Sequence, residues 1–404
     1  MKRHSKTNQK RKKVLLFIED GSFTFDNRVI REVNALESDN WDVTVISPKY
    51  SDDPFFKKLN ERVRAYYYPK PTTKSPLGHI FEHVISLLLG SVLTLWVNIR
   101  YRITVFHGCN PMDILWIIAL PYKLLGKKFI FDQHDLCPEL YISRGEGDEQ
   151  SLFYKILLWL ERYSYKFADV VIATNESYKE MAVQRGSKDP KEVFVVRNGP
   201  DLKKFRKMPP NIGLKASDEV LVGYLGNMNP QDGVIHLVDA ARDVLFEHGR
   251  KDIKFIFIGG GSSQKGLMGK ANELGLQDNV TFTGRIPDNE MLAALSACDI
   301  CVQPDPMNAL NDKSTMNKVL EYMALEKPVI SFDLKETRIS CGEAALYVEP
   351  NNVKQLSDRI VYLADHVEIR QKMAKIGRER IEKKLSWSHS IPNLIAAYEQ
   401  LIEN

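Results

Sequence analysis

Short runs of β-branched and aliphatic residues recur along this chain, each followed by a longer stretch of helical periodicity. They stand at residues 14–18, 43–46, 129–131 and 170–173, then at 193–196, 220–224, 254–258, 280–282, 300–303 and 328–331. This alternation is the pattern of repeated βαβ units around parallel sheets. A chain of 404 residues exceeds what one core usually serves, so two α/β domains are expected. The segment 201–217, lysine-rich with Met208, Pro209, Pro210 and Gly213, has little apolar periodicity and is the expected interdomain linker.

Charge narrows the function classes. Lys2, Arg3, Lys6, Lys10, Arg11, Lys12 and Lys13 supply seven positive charges with no acid among them, so the net +4 becomes −3 from residue 14 onward. A slightly acidic body is not that of a nucleic-acid binder, which carries its basic charge on a folded face. The basic tail, residues 1–13, suits an anionic membrane surface or serves only as a disordered solubilising extension. Five dispersed cysteines make no disulfide framework and point to a reducing, cytoplasmic compartment. Cys298 and Cys301 form a lone C-x-x-C, expected to be buried rather than metal-binding. Residues 14–18 are too short for the core of a secretory signal and read as a first strand. The apolar stretch 84–97, broken by Ser86, Gly90, Ser91 and Thr94, is shorter than the ~20 residues of a spanning helix. It reads either as a helix sharing core and membrane contact or as one wholly buried.

In open α/β sheets, ligands bind beyond the carboxyl ends of the strands, where glycine turns expose backbone N–H groups. Gly226 and Asn227 follow the run at 220–224 and could cradle a diphosphate, although glycine turns after strands are common without one. Gly259, Gly260 and Gly261 follow 254–258. A dinucleotide fingerprint would need glycine at position 264, where Gln264 stands. The stretch 311–324 predicts a helix with Met316, Val319, Leu320, Met323 and Ala324 as its buried stripe, capped by Asp312 or Ser314. Lys313, Asn317 and Glu321 share one helix edge and either line a cleft or face solvent. His134 and Asp135 follow the run at 129–131, with Glu139 close behind; such a histidine is either structural or serves as acid, base or hydrogen-bond donor.

In this order the pieces resemble the retaining GT-B glycosyltransferases of the family 4 or group 1 type, which include many bacterial cell-surface polysaccharide enzymes. The resemblance runs from about residue 14 to the end. Glu19, Asp20, Gly21, Phe25, Asp26 and Arg28 resemble the family's loop near the donor. His134 and Asp135 resemble its sugar-contacting motif. Arg197, Asn198, Gly199, Pro200 and Asp201 resemble its domain-junction segment, Gly226 its phosphate loop, and Thr283 to Ile286, with Arg285, its nucleobase-contacting stretch. Glu321 aligns with the glutamate that contacts the donor ribose.

The resemblance implies an α/β, GT-B fold with two Rossmann-like domains facing across a cleft. An acceptor-side domain, 14–204, would be completed by a helix over 386–404, and a nucleotide-sugar domain would span 205–385. It further implies His134, Lys313 and Glu321 as catalytic. The donor would lie on Gly21, Arg197, Asn198, Gly226, Asn227, Gly259, Gly260, Arg285, Ile286, Ser314, Thr315 and Asn317. Arg28, Asn110, Asp135 and Glu139 would serve the acceptor side. The substrates would be a nucleotide diphosphate sugar and a glycan or lipid-linked acceptor, with no metal and no other cofactor required. The enzyme is expected in the cytoplasm, as a peripheral protein of the inner membrane face. Two positions depart from the family. Asn227 and Asp232 occupy the phosphate loop where it carries a basic pair, and Lys313 stands where it has an acid, eight residues before Glu321. The reciprocal change suggests Lys313 as the counter-charge for the diphosphate. An epimerase of the same fold and a catalytically inactive sugar-nucleotide binder are the alternatives.

Overall fold

The computed structural model describes residues 12–50, 52–71 and 76–403. The tail therefore lies outside the described residues apart from Lys12 and Lys13. The chain divides into two compact units, one of Met1–Pro138, Glu149–Val196 and Ile391–Asn404, the other of Glu139–Asp148 and Arg197–Ser390.

The first unit is built on β1 (Lys13–Ile18), β2 (Asp42–Lys49), β3 (Phe56–Lys58), β4 (Val63–Pro69), β5 (Val105–Cys109), β6 (Lys128–Gln133), β7 (Val170–Ala173) and β8 (Val193–Val195). They form one eight-stranded sheet in the order β3-β4-β2-β1-β5-β6-β7-β8. All neighbours are parallel except β3, which runs antiparallel to β4. Central strands such as β1 are buried along almost their whole length, because helices cover both faces of a parallel sheet. The helices are α1 (Asn27–Ser38), α2 (Pro76–Tyr101), α3 (Trp116–Leu124), α4 (Cys137–Ser143), α5 (Leu152–Phe167) and α6 (Glu176–Gln184). Of these, most of α4 falls in the second unit. Asp26 caps α1 by accepting from the backbone N–H groups of Arg28 and Val29, which fixes where that helix starts.

The second unit carries β9 (Val220–Leu225), β10 (Ile253–Ile258), β11 (Val280–Gly284), β12 (Ile300–Gln303), β13 (Val329–Phe332) and β14 (Ala345–Val348), all parallel, in the order β11-β10-β9-β12-β13-β14. Its helices are α7 (Val234–Arg242), α8 (Gln264–Glu273), α9 (Asp288–Ala297), α10 (Asn317–Ala324), α11 (Lys335–Cys341), α12 (Val353–Asp365) and α13 (Val367–Arg380). The last helix, α14 (Trp387–Glu403), ends in the first unit, where the Tyr398 ring packs edge-on to Trp41 at 4.8 Å. Strand order reverses between β1 and β5 in the first sheet and between β9 and β12 in the second. Each reversal opens a crevice beyond the strands' carboxyl ends, which is where doubly wound sheets bind ligands.

The run at 193–196 forms β8 beside β7 in the first sheet. Two expectations are corrected. Segment 201–217 is no free linker: Phe205 is buried in the second unit's core, with Leu202, Met208 and Leu214 packed against it, so sparse anchors hold a polar stretch down. Helix α10 starts at Asn317 behind Met316, not at an Asp312 or Ser314 cap. Asp312 instead accepts the Lys335 N–H at 2.8 Å, and the Ser314 hydroxyl donates to the Leu310 carbonyl at 2.8 Å. The C-x-x-C pair is buried, with Cys298 against Gly223, as core packing requires.

Candidate active site in two parts

In the first unit, His134 follows β6 and is held at both ends. Its backbone N–H and that of Asp135 donate to the Asn110 side-chain oxygen at 2.5 and 3.0 Å, and the Asn110 amide donates to the Asp135 carbonyl at 2.7 Å. Asn110 is buried, so it shapes this turn from beneath. The His134 ring places Nε2 2.6 Å from Asp132 Oδ2 and is 17% exposed, which leaves Nδ1 as the nitrogen that can meet a substrate.

Asp132 is the hub. Its other oxygen lies 2.8 Å from Arg28 Nη2, and His107 Nε2 approaches to 3.3 Å. Arg28 Nε also lies 3.1 Å from Glu32, and Arg28 Nη1 donates to the Val196 carbonyl at 2.9 Å. The Tyr398 hydroxyl closes the set at 2.6 Å from His107 Nδ1. Arg28 is buried and committed to this network, so it acts through Asp132.

Burial works against ionising Asp132, but the charges of Arg28 and His134 overcome it and hold the carboxyl well below its usual range. Burial likewise opposes a charged His134, yet Asp132 outweighs it and raises the imidazole. A raised histidine is biased toward its protonated form, which donates rather than abstracts, and this favours the hydrogen-bond role over the base role. Glu32 goes the other way: burial, reinforced by the Asp132 charge, pushes it up to about 8, so it stays protonated. Glu32, His107, Cys109 and Asp132 offer ligand atoms within 4.8 Å of one another, a spacing a metal ion could use. The Arg28 guanidinium supplies positive charge in that same place.

A pH prediction follows. A carboxyl raised in the fold favours folding below its unfolded pKa of about 4.3, and that contribution is lost as pH rises toward the folded value. Glu32→Gln, which mimics the protonated acid, should therefore flatten the decline in stability between pH 5 and 8, by up to about 1.4 kcal/mol per pH unit. Urea unfolding at four pH values tests this; identical slopes in the two proteins would refute it.

In the second unit, the turns after β9 and β10 are stitched together. Gly226 N–H donates to the Ile258 carbonyl at 3.0 Å, Met228 N–H to Gly260 at 2.9 Å, and Ser263 N–H back to Met228 at 2.8 Å. Gly226 and Gly259 have φ of 147° and 124°. A Cβ on Gly259 would sit 2.0 Å from the Gly226 carbonyl oxygen, so the approach demands glycine. Gly259 N–H donates to Gly284 at 3.0 Å, which brings the turn carrying Arg285 and Ile286 alongside.

Helix α10 enters beside them. The Tyr322 hydroxyl accepts from the Leu225 N–H at 2.7 Å and pins the helix to the end of β9. Met316 has no side-chain oxygen to cap α10, so the positive end of the helix is left for another acceptor. Lys318 lies at that end, its Cε 3.3 Å from where a Gly226 Cβ would be and its ammonium 2.9 Å from both oxygens of Asp305. The ammonium also sits 5.1 Å from the centre of the Tyr224 ring. The two glycine turns and the start of α10 therefore meet in one place. Asn317 opens α10 and Glu321 stands one turn on, half-buried. Thr315 joins Arg197 at 3.3 Å, with buried Glu336 behind both at 3.4 and 3.6 Å. Asn198 lies in a segment so close to the second core that a Cβ on Gly199 would be 2.0 Å from the Leu385 carbonyl. Lys313 lies one turn before α10 and reaches back toward the Ala309 carbonyl at 3.4 Å. Gly21 follows β1 in the first unit, with φ 102°, and Glu139 is buried in α4.

Sequence reasoning missed Lys318, Asp305, Asp132, Glu32 and His107. Lys318 was one residue off the edge defined by Lys313, Asn317 and Glu321. Asp132 stood two residues before His134, the alternation that puts a strand residue under its neighbour.

Solved structures share this architecture from end to end. Sucrose-phosphate synthase from Thermosynechococcus elongatus superposes with a TM-score of 0.77 at 19% identity, covering 97% of this chain and all of its own. Anabaena HepE in complex with UDP-glucose gives 0.70 at 16% identity, covering 96% and 99%. Both support a GT-B fold of two Rossmann-like domains. Two family models tile the sequence, glycosyltransferase family 4 over residues 26–204 and glycosyl transferases group 1 over 219–366. The chain belongs to the group 1 glycosyltransferases. A curated relative, the 2-deoxystreptamine glucosyltransferase of Streptomyces kanamyceticus, is 22% identical over 350 residues, covering 82% of this chain and 88% of that protein.

Proposed function

We propose that the enzyme moves a sugar from a nucleotide diphosphate donor, held by the second unit, to a glycan or lipid-linked acceptor, with retention of configuration. The carrying observation is the meeting of Gly226, Gly259, the uncapped start of α10 and Lys318 beyond the ends of β9, β10 and β12. Amide dipoles, the helix end and a cation aimed at one spot suit a diphosphate that gains charge as it leaves. The leaving group's charge is met by these groups, so the chemistry calls on no metal. HepE has been solved with UDP and glucose, and a trehalose-6-phosphate enzyme of E. coli with UDP-2-fluoro glucose, which favours a sugar nucleotide here too. His134, biased toward its protonated form and fixed by Asp132, would donate a hydrogen bond to a sugar hydroxyl. The similarity to transferases favours transfer over epimerisation, and we place the enzyme in the cytoplasm at the inner membrane face.

A thermal-shift panel of UDP, GDP, ADP, CDP and TDP tests the donor site. At a hundred times Kd, binding to the native state adds about 2.7 kcal/mol, so one nucleotide should raise Tm by several degrees. A flat response to all five would defeat the reading.

A further inference from the structure

Two of the helices that cover one face of the first sheet, α2 and α5, are built inside out, and α3 between them leaves leucines open at its end. Helix α2 turns Glu82, Ser86, Gly90, Thr94 and Val97 inward, spaced three or four apart. Its small residues are there by necessity: a Cβ on Gly90 would lie 2.4 Å from the Phe17 ring, and Ser86 shares a 2.8 Å hydrogen bond with the Tyr68 hydroxyl. Outward go Phe81, Val84, Leu88, Val92, Leu95 and Ile99, with Val92 69% and Ile99 70% exposed. Helix α5 repeats the pattern, burying Glu161 and Ser164 while Leu152, Phe153, Ile156 and Trp159 face out. Helix α3 ends in Leu124, 81% exposed, and the exposed Leu125 follows. A surface helix of a soluble domain does the opposite, turning its apolar stripe to the core.

The three helices lie on one face of the first sheet. Each connects a strand to one further along the same direction of the sheet, β4 to β5 across β2 and β1, β5 to β6 and β6 to β7, and right-handed crossovers put all three on the same face. Trp116 of α3 packs on Trp159, Tyr163 and Phe167 of α5, with ring centres 5.0 to 6.1 Å apart. With on the order of 100 Å² left open by each large side chain, the patch approaches roughly 1,000 Å², above the ~300–600 Å² of a typical monomer's largest.

We propose that this face docks the enzyme in the plane of an anionic lipid bilayer, with the outer stripes of α2 and α5 among the headgroups and upper acyl chains. The charges select the occupant. From Phe81 to Phe167, the acids of these three helices are Glu82 and Glu161, both buried, whereas Arg100, Lys155, Arg162 and Lys166 are exposed and Lys123 half so. The exposed acids nearest in sequence, Glu146, Asp148 and Glu149 before α5 and Glu176 and Glu180 on α6, lie outside these three helices, whose apolar field with cations complements anionic headgroups. A second copy of the same face would set like charges together, which disfavours self-association. Trp96 and Trp159 supply the aromatic rings that settle at a membrane interface. Phe81–Tyr101 is long and apolar enough to cross a membrane, with mean hydropathy 1.5. Its packing on β1 through Gly90 and on β4 through Ser86 ties it along the sheet, so it lies on the bilayer instead of piercing it.

This deepens the proposed membrane location without depending on the donor assignment, and the two are read separately. Vesicle co-flotation of the full chain uses phosphatidylcholine alone or mixed with phosphatidylglycerol. The wild type should float with the mixed vesicles and retain part of that binding in high salt. The triple variant Leu88→Glu, Val92→Glu, Leu95→Glu should lose more than tenfold of it while keeping its melting temperature and its nucleotide-induced shift. Removal of residues 1–11 should leave most of the binding in place. The proposal is overturned if the wild type floats with neither vesicle, if the triple variant floats equally well, or if tail removal alone abolishes binding. It is also overturned if the wild type forms a dimer by light scattering that the triple variant lacks.

Discussion

Replacing Lys318 with alanine should lower kcat/KM for the sugar-nucleotide donor about 10²- to 10³-fold, the usual cost of removing one fixed group that stabilises charge developing in a transition state. The loss should fall mainly on kcat, because the negative charge on the diphosphate grows as the glycosidic bond breaks. Lys318 is suited to this by its surroundings: both Asp305 oxygens and the Tyr224 ring hold its ammonium beside the Gly226 turn. Lys313 was expected in the role from its position in the sequence, and its ammonium reaches back along its own turn. Lys313→Ala in the same assay should therefore cost less than Lys318→Ala. Turnover of Lys318→Ala within threefold of wild type would remove Lys318 from the mechanism.

Arg28→Met should destabilise the first unit by about 3–5 kcal/mol, the range seen when one partner of a buried ion pair is removed and the other is stranded. Asp132 would be that stranded charge, left with His134 and His107 as its remaining partners. The double variant Arg28→Met, Asp132→Asn should recover part of the loss, since it leaves no unpaired anion. Urea unfolding of the three proteins at pH 7 decides it, and a loss under 1 kcal/mol in Arg28→Met would show that the pair contributes little. His134 should also lose its bias toward the protonated form in the double variant, which its NMR titration would register as a lower pKa.

The alternation of runs and helical stretches was enough to read two parallel-sheet domains, and the glycine turns after β9 and β10 stood out because backbone approach leaves glycine as the only choice. Strands β3, β4, β5 and β14 escaped notice. His107 and Gly108 interrupt the apolar run of β5, and Arg64 that of β4, since each of these strands carries residues that serve a site or an edge. The start of α10 was misread because Asp312 and Ser314 look like caps, whereas a tertiary contact to Lys335 and a local one to Leu310 claim them first. The Arg28–Asp132–His134 network was illegible for a different reason: Arg28 stands 104 residues from Asp132, and no local periodicity links α1 to the end of β6. His134 could be named from its place after a strand, but its protonation is decided by Asp132 and Arg28. The inverted helices were half-visible, as an apolar segment whose outward direction only the packing of Gly90 reveals.

The hydroxyl of Tyr398 on His107 gives the order of synthesis a structural meaning. The strands and helices of the first unit leave the ribosome early, yet Tyr398, one of the partners of their central histidine, follows the strands and helices of the second unit in the sequence. Until it arrives, the nascent domain holds a cluster of ionisable groups with one hydrogen bond missing. Its completion therefore waits for the other domain to be made, and emergence of α14, rather than of the first sheet, marks the point at which the histidine gains this partner.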